Sequence, residues 1–263
     1  MSPRLLIVLA LVLVSLPINA DDDRGKIVET SGEVYIVSVD GERRGIEEAG
    51  AVINASETIV TDENGHAVVS FSDAVLSVVD QNSRLQVEEA GWLSHLGGKI
   101  YFTYRKIFGE PRGVKTRFAT LGIRGTTFIV YDDARGRAVA LTEGLLDIDT
   151  PGPAFELYRQ QQNHRFEKFK RQARQQQQAA QREFDDYRQG LNREFVDYKL
   201  SFKLYPSHIV RFDGNRVEEA IIDDRVQSDF EQFEAIAGEW LEEFREQATH
   251  HQESIKNQPA VNE

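Results

Sequence analysis

Short runs of β-branched and aromatic residues, separated by turn residues, dominate the chain between residues 21 and 150. Leu85 and Val87 alternate with Gln86, and a similar alternation recurs within residues 75–79. A period of two places one set of side chains in a core and the other set toward solvent. At the usual spacing of about 8–12 residues per strand, about ten strands fit this part of the chain.

Tight turns punctuate these runs. They are marked by the pairs Asp40-Gly41, Asn64-Gly65 and Arg135-Gly136, in which glycine accepts the positive φ that a sharp reversal needs. The pattern predicts an all-β domain over residues 21–150. A sandwich, a roll and a short β-solenoid all satisfy it.

A different pattern follows the breaker cluster Pro151-Gly152-Pro153, which ends the β region. Apolar residues then recur every eleven positions, at Tyr158, Phe169, Ala180, Leu191 and Phe202. A period of about 3.67 residues per turn predicts one long amphipathic helix within residues 151–205. The run Gln175–Gln178 leaves a disordered low-complexity tract as the alternative.

The third part, residues 206–250, is predicted to hold a short extended piece and then a second amphipathic helix from about Val217. Residues three or four apart share one apolar face of this helix: Val226, Phe230, Phe233, Ala237, Trp240 and Phe244. The two helices could pair as an antiparallel hairpin, or the stripes could mediate a homo-oligomer through a coiled coil. Residues 251–263 are predicted to be a frayed tail. The chain as a whole is therefore expected to be α+β.

The N-terminus has the pattern of a secretory signal peptide. Arg4 precedes the apolar run Leu5–Val14, and the small residue Ala20 precedes an acidic triplet. The run is shorter than the roughly 20 residues that span a bilayer, although an uncleaved anchor is the alternative. We expect residues 1–20 to be removed, and the product to be periplasmic or secreted rather than an integral membrane protein.

Composition excludes several classes of protein. The 263 residues include no cysteine, which excludes a disulfide-stapled fold, a cysteine zinc site and a thiol nucleophile. The formal net charge of −12 opposes nucleic-acid binding. Residues 151–205 are basic, whereas the segments on either side are acidic, which supports the division into three parts.

Five segments resemble, in order and spacing, the motifs of one bacterial family. They are Gly32–Ile36, Glu57–Thr61, Asn64–Phe71, Leu121–Val130 and Glu143–Ile148. The fourth segment is similar to the signature hydrophobic-Arg-Gly-Thr-x-Phe-x-Val. Residues 25–149 thus resemble the FecR domain, an extracytoplasmic module of iron-siderophore signalling and of many exported proteins. The resemblance implies an all-β domain outside the cytoplasm.

The triplet Arg124, Gly125 and Thr126 within that signature is the candidate binding site. A glycine beside a β-run commonly marks a bulge or a close backbone approach, and an arginine there commonly ties carboxylates or carbonyls. The structural interpretation assigns the triplet to the fold. The functional interpretation makes Arg124 an anchor for an acidic ligand or partner peptide.

No motif for catalysis, phosphate binding or metal binding occurs in the sequence. No catalytic residue, metal ligand or cofactor is therefore assigned, and we expect a protein that is not an enzyme. The predicted function is a binding or scaffold protein of the bacterial envelope. Its β domain would recognise a protein, peptide or glycan, and its helical arm would oligomerise or act as a spacer. The alternative is a signalling accessory that modulates an envelope receptor.

Overall fold

The computed structural model describes residues 24–46, 48–71, 74–89, 91–106, 112–159 and 197–256. Within these ranges the chain forms nineteen strands and then one helix. The strands are β1 (Arg24–Ser31), β2 (Val34–Val37), β3 (Arg43–Gly45), β4 (Val52–Asn54), β5 (Thr58–Thr61), β6 (His66–Phe71), β7 (Val75–Val79), β8 (Arg84–Val87), β9 (Trp92–Tyr104), β10 (Gly113–Lys115), β11 (Thr120–Ile123), β12 (Thr127–Asp133), β13 (Gly136–Glu143), β14 (Leu146–Asp149), β15 (Phe155–Arg159), β16 (Asp197–Lys199), β17 (Ser201–Leu204), β18 (His208–Asp213) and β19 (Arg216–Ile221). The helix is α1 (Asp224–Lys256).

The strands form two sheets that share β9. We call the first the covered sheet, because α1 packs on its outer face; its order is β4-β1-β6-β7-β9-β12-β13-β18-β19-β15-β16. The second, the open sheet, has the order β3-β2-β5-β8-β9-β10-β11-β14-β17. Neighbouring strands are antiparallel except β9 with β10 and β15 with β19.

Strand β9 passes from one sheet to the other. Its first half pairs with β8 and β10 in the open sheet, and its second half pairs with β7 and β12 in the covered sheet. The change occurs at Gly97-Gly98. A Cβ atom on Gly98, whose φ is 89°, would lie 2.1 Å from Ser83 Oγ. Ser83 lies in the connection between β7 and β8, so the close approach of β9 to this connection requires glycine at position 98.

The main core lies between the two sheets. Inward residues of both sheets form one hydrophobic cluster, to which Leu93 and Leu121 contribute from the open sheet and Phe102 and Phe128 from the covered sheet. The rings of Phe102 and Phe128 stack with their centroids 5.2 Å apart, and both residues are fully buried. The arrangement is a β-sandwich, one of the three all-β folds that the sequence pattern allows.

Strands beyond residue 150 extend both sheets. In the open sheet β17 pairs with β14, and in the covered sheet β18 pairs with β13. Phe155 of the covered sheet contacts Phe202 of the open sheet, with ring centroids 5.6 Å apart. The sandwich core therefore continues across residue 150.

Helix α1 buries a second apolar cluster against the outer face of the covered sheet. Tyr101 of β9 lies under the helix, with its ring centroid 6.2 Å from that of Phe230 and 5.9 Å from that of Phe233. Six helix residues are buried in this interface: Val226, Phe230, Phe233, Ala237, Leu241 and Phe244. Burial of each large side chain contributes about 1.5–3 kcal/mol.

Two cations attach the two halves of the helix: Lys99 of β9 and Arg105, the residue that follows β9. Lys99 Nζ donates to Asp229 Oδ1 at 2.9 Å and also lies 3.2 Å from Asp80 Oδ2. Arg105 Nη2 donates to the carbonyl oxygen of Phe244 at 2.7 Å. Between these contacts the helix is interrupted at Gly238, where φ is 46° and ψ is −126°. Each half of the helix thus has its own polar attachment to the sandwich.

The helical part of the sequence prediction needs correction. The long helix predicted over residues 151–205 is wrong at both ends, because β15 and then β16 and β17 occupy these positions and pair within the sheets. Its middle, residues 160–196, lies outside the described residues. The one described helix packs on a sheet, so the predicted coiled coil is not supported.

The predicted second helix exists but begins at Asp224, after β19, rather than at about Val217. Its buried face agrees with the predicted one except that Leu241 replaces Trp240, which is 37% exposed and follows the interruption at Gly238. The helix continues to Lys256, past residue 251, where the frayed tail was predicted to begin. Residues 257–263 lie outside the described residues. The predicted signal peptide, residues 1–20, also lies outside them.

Strand β7 shows how the helix changes the burial pattern. Its five residues are all buried, although the alternation in the sequence predicts one face toward solvent. Ser77, on the polar position, is fully buried and donates to the carbonyl oxygen of Tyr101 at 2.9 Å. In the open sheet, by contrast, Leu85 and Val87 are buried and Gln86 is partly exposed, as the alternation predicts.

The attachment of α1 gives a stability prediction. Replacing Asp229 with alanine removes the Lys99 ion pair and the hydrogen bond that the Tyr131 hydroxyl donates to Asp229 Oδ2 at 3.1 Å. Because partly buried donors then lack this partner, we expect the free energy of unfolding to fall by about 2 kcal/mol. Urea denaturation measures the change. Glu231→Ala, an exposed position two residues away, is the control and should change stability by less than about 0.5 kcal/mol. Equal effects of the two substitutions would contradict the prediction.

Candidate functional site

The predicted triplet Arg124, Gly125 and Thr126 connects β11 of the open sheet to β12 of the covered sheet. The carbonyl oxygen of Thr126 accepts a hydrogen bond from the backbone N–H of Tyr104, at the end of β9, over 2.9 Å. Thr126 is 1% exposed. The signature segment is therefore the point at which the chain crosses between the two layers.

Glycine is required at this crossing. Gly125 has a φ of 63°, and a Cβ atom there would lie 2.9 Å from Lys106 Cβ. A second crossing, from β13 to β14, packs on the first at Gly144, whose φ is 84°; a Cβ atom on Gly144 would lie 2.1 Å from the carbonyl oxygen of Gly125. Both crossings are close-packed backbone, so Gly125 and Thr126 have a structural role in the packing of the two layers.

Arg124 differs from its two neighbours, because its side chain is 75% exposed. Its Nε atom lies 4.0 Å from Asp147 Oδ2 on β14. Lys203 Nζ on β17 lies 3.6 Å from the other oxygen, Oδ1, of the same carboxylate. Arg124 therefore belongs to a small charged cluster on the outer face of the open sheet.

A row of residues crosses this outer face from strand to strand. Direct cross-strand partners place Trp92, Gly113, Gly122, Asp147 and Lys203 side by side on β9, β10, β11, β14 and β17. Their sequence neighbours Leu93, Val114, Leu121, Ile148 and Phe202 all lie in the core between the sheets. Because side chains alternate along a strand, the first row faces outward.

The ring of Trp92 lies against the sheet above Gly113. A Cβ atom on Gly113 would be 2.5 Å from Trp92 Cζ3 and 2.9 Å from Cη2, so the ring occupies the volume that a side chain there would fill. Lys115 Nζ lies 5.7 Å from the centroid of the same ring, which is within the range of a cation–π contact. The indole is therefore held in a fixed orientation.

A second charged group flanks the tryptophan. Glu88 accepts hydrogen bonds from Lys115 Nζ and from the Ser94 hydroxyl. Partial burial opposes ionisation of Glu88, but these hydrogen bonds and the charge of Lys115 lower its pKa below the usual value. The carboxylate is thus ionised and fixed at neutral pH.

Together these residues form one polar surface. We call it the open-face patch, and it consists of Trp92, Gly113, Lys115, Gly122, Arg124, Asp147 and Lys203. Of the predicted triplet, the structure brings only Arg124 to this patch. The other residues could not be predicted from the sequence, because their proximity depends on pairing between distant strands. Alternation along β14, where Asp147 lies between the buried Leu146 and Ile148, was a signal that could have indicated an outward residue.

No group of three or more potential metal ligands occurs within the described residues. Among those residues there is also no helix with both the length and the apolarity needed to cross a bilayer. His95 of β9 is 1% exposed and contacts the carbonyl oxygen of Gly98 through Nε2 at 3.2 Å. Its burial makes it a structural residue of the sandwich.

The buried histidine predicts a specific loss of stability in acid. Burial lowers the pKa of His95 from 6.5 to about 4. Between these values the unfolded chain binds more protons than the folded chain, so this contribution to stability is complete above pH 6.5 and is lost as the pH falls to about 4. We expect urea denaturation to show a loss of about 3 kcal/mol from this source. His95→Gln should remove that part of the pH dependence. His66→Gln, on β6, should keep it, and an unchanged profile in His95→Gln would contradict the assignment.

The crossing predicts unequal losses of stability at two adjacent positions. Gly125→Ala forces a Cβ atom against Lys106 at a positive φ, and we expect it to lower the free energy of unfolding by about 1–3 kcal/mol. Arg124→Ala removes an exposed side chain and should change it by less than about 0.5 kcal/mol. Thermal and urea denaturation of both variants measure the difference. A Gly125→Ala protein as stable as the unsubstituted chain would refute the account of the crossing.

The chain is similar to two crystal structures of a proposed anti-sigma factor from Parabacteroides distasonis. These structures were solved at 1.65 Å and 2.50 Å resolution, and each has 13% sequence identity to this chain. The TM-scores are 0.43 and 0.42, and the matches cover 66% and 64% of this chain. The chain spans less than two thirds of those proteins, 64% and 61% of their length. At this level of similarity no property is transferred from them.

Curated proteins gave no match. The family model described as FecR protein matches residues 57–147. The matched residues run from β5 into β14 and include the crossing at Gly125 and most of the open-face patch, although Lys203 lies beyond them. The predicted resemblance to the FecR family is therefore confirmed over residues 57–147, which form part of the sandwich.

Proposed function

We propose that this protein is an accessory of envelope signalling that modulates a receptor outside the cytoplasm. The observation that carries the proposal is the FecR domain at residues 57–147. Export through the predicted signal peptide, residues 1–20, is part of the proposal and gives a periplasmic or secreted product. The signalling accessory was the alternative function predicted from the sequence, and the family match supports it better than it supports the scaffold function.

The scaffold depended on a helical arm through residues 151–205. Strands occupy both ends of that range and complete the sandwich. The described residues therefore supply no spacer and no stripe for self-association. What the described chain offers instead is a folded recognition module.

An exposed apolar corner supports a protein partner. Tyr198, Leu200 and Tyr205 are 68%, 69% and 52% exposed, and they lie within eight residues of one another around β16 and β17. We call these three residues the apolar corner. Exposed apolar side chains that lie in one region of the surface commonly mark a contact with another protein.

The apolar corner also lies at the margin of both sheets. Within the described residues β16 pairs only with β15, and β17 pairs with β14. An edge strand has backbone donors and acceptors that an extended segment of a partner can pair with. A receptor segment that adds to this edge would bury Tyr198 and Leu200.

The proposal is tested in cells that carry the gene. A photo-crosslinking amino acid at position 198 should join the protein to an envelope receptor, which mass spectrometry identifies. Deleting the gene should change the transcriptional response to that receptor's ligand. The double variant Tyr198→Ser/Leu200→Ser should reduce the crosslink from position 205, and the response, by about tenfold, equivalent to about 1.4 kcal/mol of contact energy.

Val39→Ser is the matched control, since Val39 is 75% exposed but isolated from the apolar corner. It should leave the crosslink and the response unchanged. A transcriptional response that is the same with and without the gene would contradict the signalling function. A response that survives the double variant would contradict the role of the apolar corner.

A further inference from the structure

We propose that residues 239–256, the C-terminal half of α1, form a strap that detaches from the covered sheet while the N-terminal half of the helix stays in place. Gly238 is the hinge of this strap, and Arg105 is its latch. The two conformations are the bent helix of the structure and a straight helix whose strap extends into solvent. The proposal concerns a different part of the molecule from the apolar corner and does not depend on the signalling function.

The break in the helix at Gly238 is set by the backbone alone. Its φ of 46° and ψ of −126° lie in a region that residues with a Cβ atom rarely adopt. A Cβ atom at this position would have open space around it, because no atom of the described residues lies within 4 Å. Packing therefore does not require glycine at position 238, and the requirement comes from the bent conformation itself.

The sequence of α1 is also compatible with an unbroken helix. Phe233, Ala237, Leu241 and Phe244 follow one another at intervals of four, four and three residues, so a straight helix would present them on one face. A straight helix would also have regular backbone hydrogen bonding across residue 238. Detachment of the strap therefore costs contacts with the sheet but no helical structure, and the helix has two conformations between which an equilibrium can exist.

One ion pair is specific to the bent conformation. Arg245 Nη2 donates to Glu234 Oε1 at 2.8 Å, across the break. In a straight helix these two residues would be about 16 Å apart along the axis, which is farther than their side chains can span. The Arg245 and Glu234 side chains are 49% and 39% exposed, so the pair contributes little to stability. It accompanies the bend but does not hold the strap on the sheet.

Arg105 supplies the main polar attachment of the strap. Its guanidinium group stacks on Phe244, with Cζ 4.2 Å from the centroid of the ring. Its Nη2 atom donates to the carbonyl oxygen of Phe244 at 2.7 Å and to Gln247 Oε1 at 2.9 Å. A planar guanidinium can stack and donate at the same time, so one side chain holds both the ring and the backbone of this segment.

The two halves of α1 bury different amounts of apolar surface. Among its described side chains, those of residues 239–247, the strap buries Leu241 and Phe244. Four residues of the N-terminal half are buried: Val226, Phe230, Phe233 and Ala237. Because burial of apolar surface is the main favourable contribution to packing, the strap is the half that opens at the lower free energy.

The latch lies beside the crossing of the FecR signature. The backbone N–H of Arg105 donates to the carbonyl oxygen of Ala74 at 2.9 Å, and that of Tyr104 donates to the carbonyl oxygen of Thr126, also at 2.9 Å. Detachment of the strap would release the Arg105 side chain and expose Leu241 and Phe244. The strap thus controls access to the covered sheet at the end where the signature crosses between the layers.

Double electron–electron resonance between two spin labels measures the bend. Because the chain contains no cysteine, Gln227→Cys and Glu246→Cys, at two exposed positions, place one label on each half of α1. A straight helix would separate these positions by about 28 Å, and we expect a shorter main distance while Gly238 is present. Gly238→Ala should shift the distribution toward about 28 Å, because alanine favours the helix and is strained at the bent φ and ψ.

Amide hydrogen exchange on the purified protein tests the latch. Arg105→Ala removes a charged hydrogen-bond donor from the strap and should raise the exchange rates of residues 241–247 by at least about tenfold. Residues 228–236 should exchange as they do in the unsubstituted protein, because the N-terminal half stays docked. Arg135→Ala is the matched control, since it removes another half-exposed arginine, in the turn between β12 and β13, and it should leave both segments unchanged.

Two results would overturn the proposal. The first is a folded Gly238→Ala protein that keeps the short distance between the labels. The second is an Arg105→Ala protein in which exchange of the strap is unchanged, or in which both halves of α1 exchange faster by the same factor. If Gly238→Ala does not fold, the exchange rates of Arg105→Ala decide alone.

Discussion

The packing of α1 on one face of the sandwich determines how the rest of the molecule meets solvent. Phe230 and Phe233 of the helix cover Tyr101 of β9. Lys99 of the same strand and Arg105, which directly follows it, attach the two halves of the helix. Because β9 belongs to both sheets, the strand that carries the helix also begins the open-face patch at Trp92. The middle of one sheet's outer face is thereby removed from solvent, and the other sheet presents its outer side chains.

This asymmetry gives the FecR signature two distinct roles within three residues. Gly125 and Thr126 cross between the layers, where the backbone of one crossing lies against that of the other. Arg124 precedes the crossing and extends onto the open sheet beside Asp147. The structural and the functional interpretations of the triplet therefore apply to different residues of it. The binding role of Arg124 stays a prediction.

The sequence predicted those features that depend on local periodicity. An apolar period of two residues predicted the all-β character of residues 24–149. An apolar period of three to four residues predicted the amphipathic helix with Val226, Phe230 and Phe233 on one face. Residues 155–159 and 197–204 were misjudged, because the eleven-residue repeat takes only one position from each segment, Tyr158 and Phe202, and one position cannot distinguish a helix from a strand. Pairing with β14 and β19 decides. Ser77 was placed toward solvent because nothing within β7 indicates a helix 150 residues later. The open-face patch was missed for the same reason, since Trp92, Gly122 and Lys203 meet only through strand pairing.

The central claim is that one sheet is covered and the other is open, and hydroxyl-radical footprinting of the full chain measures it most directly. The account predicts rapid modification of Tyr205, measurable modification of Trp92, and strong protection of Tyr101 and of Phe230 and Phe233 above it. If Tyr101 were modified as rapidly as Tyr205, the helix would not cover the sheet in solution, and the assignment of the two faces would be wrong.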